Sequence, residues 1–467
     1  MSLRQAIIFA AYIIVLVFTG IFLLSCNSRS MEGMVIFTRV PVDHFALQEE
    51  ERLHNYPGAK IVAMNPDKPE GSEIILTTDF YSACSPEISY DAKQMLFVAQ
   101  RNEHEPWQVW EMDLKNGTSK QITDFGESCS GPAYLPGDRM VFSRQIPGKG
   151  AGSVYALFTM NLDGSNLSQI TFQPHCDYPA AILRDGRILM LSKQLHPESG
   201  DIMYLAMRPN GTKAELFYKG VHNSILLSQA YETMDGLVYF IEWEQGRGEK
   251  GDIVSVRQNR PLFSKVIYTT EIPGSFYAVF PMPSGELLVS YRPSATGPIA
   301  LHCFSAKEKS LGESMIDYSN YHVLEPVLVE AYRRPRNLPD EVNMRQSTGL
   351  LLCQDINVTA IPHDSDINPL LKATMIEVLG MDKSLGIVPV EEDGSVYLKV
   401  NADTPVRFQT LDKNGQIVYG PSAWIWLRPS ERRGCVGCHE DPELVPKNFV
   451  PLSVQKQPVF IPVESCK

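Results

Sequence analysis

The sequence predicts an all-β chain in two parts. A six-bladed β-propeller spans 32–332, a linker follows at 333–347, and an immunoglobulin-like β-sandwich over 348–430 leads into the motif C-V-G-C-H. Three observations predict this. First, "QVWEMDLKNGTSKQITDFG" at 108–126 and "ALFTMNLDGSNLSQITFQP" at 156–174 are near-copies, each an alternating strand, a tight N-G or D-G turn and a second strand. Second, such units recur at roughly 45 residues, a propeller period. Third, after the linker the pattern shortens to six or seven brief strands over about a hundred residues, the size of a sandwich.

The blades follow in order. Weaker copies of the hairpin are "KIVAMNPDKPEGSEIILT", "DIMYLAMRPNGTKAELFY", "DIVSVRQNRPLFSKVIY" and "IALHCFSAKEKSLGESMI". Between them recurs an apolar strand: "VIFTR", "MLFVAQR", "MVFSRQ", "ILMLSKQ", "LVYFIEW" and "LLVSYR". Turns such as Pro136-Gly137-Asp138, Asp185-Gly186 and Asp235-Gly236 introduce it. The first unit lacks its innermost strand, and "HVLEPVLV" at 322–329 is expected to supply it, closing the ring with chain from both ends. The repeats resemble TolB-like propeller blades.

In the linker "EAYRRPRNLPDEVNMRQSTG", Pro, Arg and Asn break any periodicity. Strands resume as "LLLCQDI", "ATMIEVLGM", "GSVYLKV", "VRFQTLD", "GQIVYG" and "AWIWLR", with turns at Asp393-Gly394 and Asn414-Gly415. The C-V-G-C-H motif comes off the last of them, within a haem-binding segment and tail at 431–467.

Residues 1–25 stand apart from the fold. "MSLRQ" is followed by the uncharged run "AIIFAAYIIVLVFTGIFLL" and then Leu23-Leu24-Ser25-Cys26, which resembles a bacterial lipobox. Cleavage before Cys26 leaves a lipidated cysteine; an uncleaved membrane anchor is the competing reading. Either way the folded part is expected outside the cytoplasmic membrane, on the periplasmic side and held to the membrane. The net charge of 42 − 54 = −12, with no basic run, argues against nucleic acid as a partner.

Cys435, Cys438 and His439 have the spacing of c-type haem attachment. Two cysteines three positions apart reach both vinyl groups of one porphyrin, and the adjacent histidine presents an imidazole to iron. One covalent haem is expected. A zinc site needs a second ligand pair, and no other C-x-x-C exists in the chain; a thioredoxin-like motif needs a βαβ context. Arg432 and Arg433 are candidates for the haem propionates. Trp424 and Trp426 share a face, either flanking the porphyrin or filling the sandwich core.

"LGIVPVEEDGSVYLKVNADTPVRFQTLDKNGQIVYGPSAWIWLRPSERRGCVGCHE" resembles the middle, haem-bearing domain of hydrazine synthase alpha subunits and their relatives, a family that places a six-bladed propeller before it. The resemblance implies a haem sheltered by sandwich, propeller and tail. It also implies an iron-binding tyrosine four residues after the motif histidine, with that histidine on a second metal. That position here is Glu443, so His439 is expected to ligate iron, and hydrazine synthesis is not expected. Nor is a second, C-terminal haem domain.

Of the nine cysteines, Cys84, Cys129 and Cys176 lie two or three residues before Pro86, Pro132 and Pro179 at the start of successive innermost strands. With His175, His222 and His322 nearby, they are either a thiolate–imidazole mouth suited to zinc or small residues inherited with the repeat. Cys303 and Cys353 read as core residues. The sandwich is expected to turn its C-V-G-C-H onto this mouth, with His439 nearer Cys129 than Asp163 or Asn210. The chain so read is a lipid-anchored c-type cytochrome for electron transfer, through a redox partner protein, or for small-molecule redox chemistry as a haem-dependent oxidoreductase. The alternative is a propeller binding or scaffold lipoprotein whose haem is structural or sensory.

Overall fold

The computed structural model describes residues 30–44, 56–148, 152–220, 224–244, 250–358, 372–437 and 448–462. They form eight four-stranded sheets, and the first six, in chain order, are propeller blades. The innermost strand of the first blade is Tyr321–Leu328, antiparallel to Val35–Pro41 with Val35 opposite Leu328 and Pro41 opposite Tyr321. The ring therefore closes with strands from both ends of the propeller sequence.

The recurring threonine of the hairpins has a structural job. Thr77, Thr123, Thr171 and Thr269 are buried on or beside the short outer strands. Their hydroxyls accept the backbone N–H of Ile61, Val109, Leu157 and Ile253 at 2.8–3.0 Å. Where the outermost ladder is only two or three pairs long, this bond satisfies a buried donor that the ladder leaves behind. The inner strands bulge before their prolines: Ser85, Gly131 and Glu325 all have φ between 52° and 56°. Glu325 uses its bulge to tie the closing strand to the second blade, accepting Thr38 Oγ1 at 2.6 Å and Ser85 N at 2.7 Å.

The remaining two sheets face each other as a sandwich. Met375–Leu379 pairs with Ser384–Pro389 and Arg407–Leu411, which pairs with Ile417–Tyr419. In the other sheet, Thr348–Cys353 pairs antiparallel with Val396–Asn401. Its two outer strands are parallel additions: Arg432–Cys435 beside Thr348–Cys353, and Val459–Ile461 of the tail beside Val396–Asn401. The core between the sheets holds Leu351, Ile376, Val378, Leu398 and Phe408. "AWIWLR" is the exception to the predicted strands, for it contributes a single bridge, Ile425 to Val406.

Trp424 and Trp426 explain this exception and correct both readings offered for them. Trp426, 1% exposed, packs among Leu135, Val141, Ile170, Ile188 and Met207, between the third and fourth blades. Trp424 donates its indole N–H to the carbonyl of His196 at 2.8 Å. The segment is spent on docking the sandwich against the propeller flank. The linker fastens the same side: Arg336 N binds Arg184 O at 3.1 Å and Asn210 Nδ2 binds Asp340 at 2.9 Å. Only glycine fits at 186, where φ is +94° and a Cβ would lie 2.2 Å from Arg336 O.

Candidate functional site

The first cysteine of the motif is part of the sandwich, not of a loop hanging from it. Arg432–Cys435 runs parallel to Thr348–Cys353 with Cys435 opposite Cys353, and the pairing continues as Gln354 N to Cys435 O at 2.9 Å and Asp355 N to Val436 O at 3.1 Å. The strand sits at the sheet edge, with no partner on its other side among the described residues. Cys435 is half-buried there. Gly437 follows under tight steric constraint, since a Cβ would stand 2.2 Å from Val358 O. Cys438, His439 and Glu443 lie outside the described residues, as do Cys26, His222 and the region 1–29. A haem c tether needs a thiol that is neither locked in a disulfide nor fully buried, and Cys435, half-buried and in no disulfide among the described residues, fits that need.

Two residues that the sequence reading missed hold this strand. Glu431 is buried, and its carboxylate accepts Lys213 N at 2.9 Å and Arg428 N at 2.8 Å, and Arg433 Nη2 at 2.8 Å. Arg428, 3% exposed, donates to Asn210 O at 3.0 Å and to Asp403 at 2.7 Å, and lies 5.0 Å from the Phe172 ring. Burial raises the Asp403 carboxyl and the Arg428 charge opposes that rise. The sequence signal was weak, because a charged run "RPSERR" ordinarily reads as solvated surface. Of the two propionate candidates, Arg433 is already bound by Glu431, while Arg432 is exposed.

Among the described residues, Cys84, Cys129 and Cys176 do not share one face of their inner strands. Bulge and pairing place Cys84, opposite Val98, in register with Ser130, opposite Ser143, and Asp177, opposite Ser192. Cys129, opposite Arg144, matches Cys176, opposite Lys193. A one-residue offset turns a side chain to the other sheet face, so Cys84 and Cys129 meet across one interface between blades while Cys176 packs elsewhere. Burial pushes the Cys129 thiol up to about 12 and holds the His175 imidazole down to about 3. His175 is 2% exposed and bonds Ser192 at 2.8 Å, which donates to Asp177 at 2.6 Å. His322 accepts Ile299 N at 2.9 Å. No cluster of three Cys, His, Asp or Glu among the described residues has the arrangement of a metal site.

The sandwich meets the flank of the third and fourth blades and the hairpin turn at Asn210. The approach of His439 to Cys129 falls outside the described residues.

Residues 343–440 match the hydrazine synthase alpha subunit middle domain. "Hydrazine synthase subunit alpha" of Kuenenia stuttgartiensis is 21% identical over 547 residues, covering 88% of this chain and 67% of that protein. The chain is hydrazine synthase alpha-like. The solved Kuenenia stuttgartiensis hydrazine synthase superposes with a TM-score of 0.79 at 18% identity, over 91% of this chain and 71% of that one, a likeness of fold. TolB from Acinetobacter baumannii, at TM-score 0.45 and 14% identity over 63% of this chain and 66% of that one, is too distant to argue from. The strand Arg432–Cys435 and the clamp at Glu431 thus both fall inside the hydrazine synthase alpha middle domain.

Proposed function

We propose that this hydrazine synthase alpha-like chain carries one covalent haem c on Cys435 and Cys438, with His439 as an iron ligand, and serves electron transfer or small-molecule redox chemistry. In this reading the folded part works outside the cytoplasmic membrane, anchored by lipid on Cys26, with a redox protein as partner. The single observation that carries it is the half-buried Cys435 of the C-V-G-C-H motif, fixed in register opposite Cys353 by Thr348–Cys353 inside the matched domain. When bound, the haem supplies a one-electron couple whose potential its ligands and surroundings set.

The chain's own residues then act around it. The edge strand fixes the first thioether. Gly437 lets the motif turn close against Val358. Arg432 is free to meet a propionate, and Glu431 holds Arg433 and the propeller together. The reading stops short of hydrazine synthesis because Glu443 stands where the family's iron-binding tyrosine would be.

The test is expression with haem-attachment machinery, denaturation and haem staining. Staining that remains with the chain, and is lost in Cys435→Ser/Cys438→Ser, is expected. Undiminished staining in the double variant overturns the reading. A spectrum with and without carbon monoxide then separates an exchangeable sixth position, suited to substrate, from two fixed ligands suited to electron transfer. For the anchor, Cys26→Ala is expected to abolish lipid labelling, and persistent labelling excludes that site.

A further inference from the structure

The propeller encloses a second place where chemistry is concentrated. A cavity of about 530 Å³ lies along the central channel, lined by residues of the inner strands and closed on one side by the linker, which contributes Glu330 to Arg333 and Pro335. The linker wall is pinned: Tyr332 N binds Tyr90 O at 3.0 Å, the Tyr332 hydroxyl donates to Ile88 O at 3.0 Å, and the two rings meet edge to face at 5.2 Å. Tyr231 and Phe280 form a second edge-to-face pair at 4.8 Å.

Charge on the lining is uneven. Glu87, Glu232, Glu325 and Glu330 face Arg184 and Arg333. Most are committed. Glu325 accepts Thr38 and Ser85, Glu232 accepts Arg184 N, and Arg184 donates to Met234 O. Glu87 has no side-chain hydrogen bond among the described residues. Glu87 lines the same cavity as Tyr90, Tyr231 and Tyr332, whose hydroxyls burial and then the Glu87 charge push up. Phe280 adds a fourth ring to this lining, and Arg334 already lies 5.8 Å from the Tyr90 ring centroid, so a carboxyl and a ring that accepts a cation stand in one space, the pairing that holds an organic cation.

We propose that the channel binds a small organic monocation with an aromatic or apolar body, its ammonium on Glu87 and its body against Tyr90, Tyr231, Phe280 and Tyr332. A neutral molecule of the same shape would leave the Glu87 carboxyl without a partner. The site is independent of haem attachment.

Titration calorimetry on the full chain with tyramine, and with 4-ethylphenol as the body lacking the ammonium, tests this. Saturable binding of tyramine at one site is expected, about tenfold or more weaker in Glu87→Gln and for 4-ethylphenol. Burial pushes the Glu87 carboxyl up to about 8, so affinity should rise with pH toward that value and level off above it. Glu87→Gln keeps the side-chain shape, and an unchanged circular dichroism spectrum verifies its fold. Tyr231→Ala serves as a second variant, expected to weaken tyramine by losing a ring face. Absence of saturable tyramine binding, equal binding in Glu87→Gln, or equal affinity for 4-ethylphenol overturns the proposal.

Discussion

Glu431 accepts the backbone N–H of Lys213 at 2.9 Å, joining residues 218 positions apart. The same carboxylate holds Arg428 and Arg433, so one buried side chain connects the fourth blade, the docking segment and the strand that ends in Cys435. Removing it takes the acceptor from four donors of three residues at once. Glu431→Ala is expected to destabilise the docked sandwich by about 3 kcal/mol, as for a broken buried ion pair, and Glu431→Gln by less. Chemical denaturation with tryptophan fluorescence reports it; equal stability of Glu431→Ala and the parent would refute the clamp.

Trp426 fills the seam between two blades from outside the propeller. Trp426→Ala should cost about 3–5 kcal/mol and loosen the interface without unfolding the ring. Limited proteolysis is expected to cut the linker faster in this variant, and an unchanged cleavage rate would count against the docking.

Gly437 has no room for a side chain. Gly437→Ala forces a Cβ into Val358 O and is expected to cost about 1–3 kcal/mol. Covalent haem yield should fall with it if the motif turn must close there. The measurement is the melting midpoint together with haem stain per chain.

His175 couples stability to acidity. Its folded pKa is depressed to about 3 by burial, while the unfolded imidazole titrates near 6.5. Below about pH 6.5 the unfolded chain binds a proton that the folded chain refuses. Stability is therefore whole above that pH and falls by up to about 1.4 kcal/mol per unit as pH drops toward 3. His175→Asn should flatten this slope in urea titrations at several pH values. A slope identical to the parent's would show that His175 does not carry it.

The repeat made the propeller readable. Strand and turn alternate at roughly 45 residues, a propeller period, and even the borrowed strand at 322–329 followed from one missing strand. Interdomain geometry was not readable, because it is built where periodicity ends. "AWIWLR" has strand composition, yet its tryptophans are used on a neighbouring domain. "RPSERR" has surface composition, yet Glu431 and Arg428 are buried. The proline-rich tail gives no periodic signal, yet Val459–Ile461 joins a sheet. The sequence also hid which cysteines share a face: Cys84 lies two before its proline and Cys129 and Cys176 three, and in a strand that difference reverses the face, so Cys84 and Cys129 share one cluster while Cys176 packs in another.

The borrowed strand also orders events during synthesis. Val35–Pro41 emerges first, but its inner partner Tyr321–Leu328 is made almost three hundred residues later. Until then the first blade offers an unpaired inner edge, which is a template for wrong pairing between chains. The same late strand runs straight into the linker that walls the channel, so closing the ring and walling the cavity depend on the same late stretch of chain. A chain stalled before residue 321 would be both open-edged and open-channelled, the state in which a holding chaperone would be needed most.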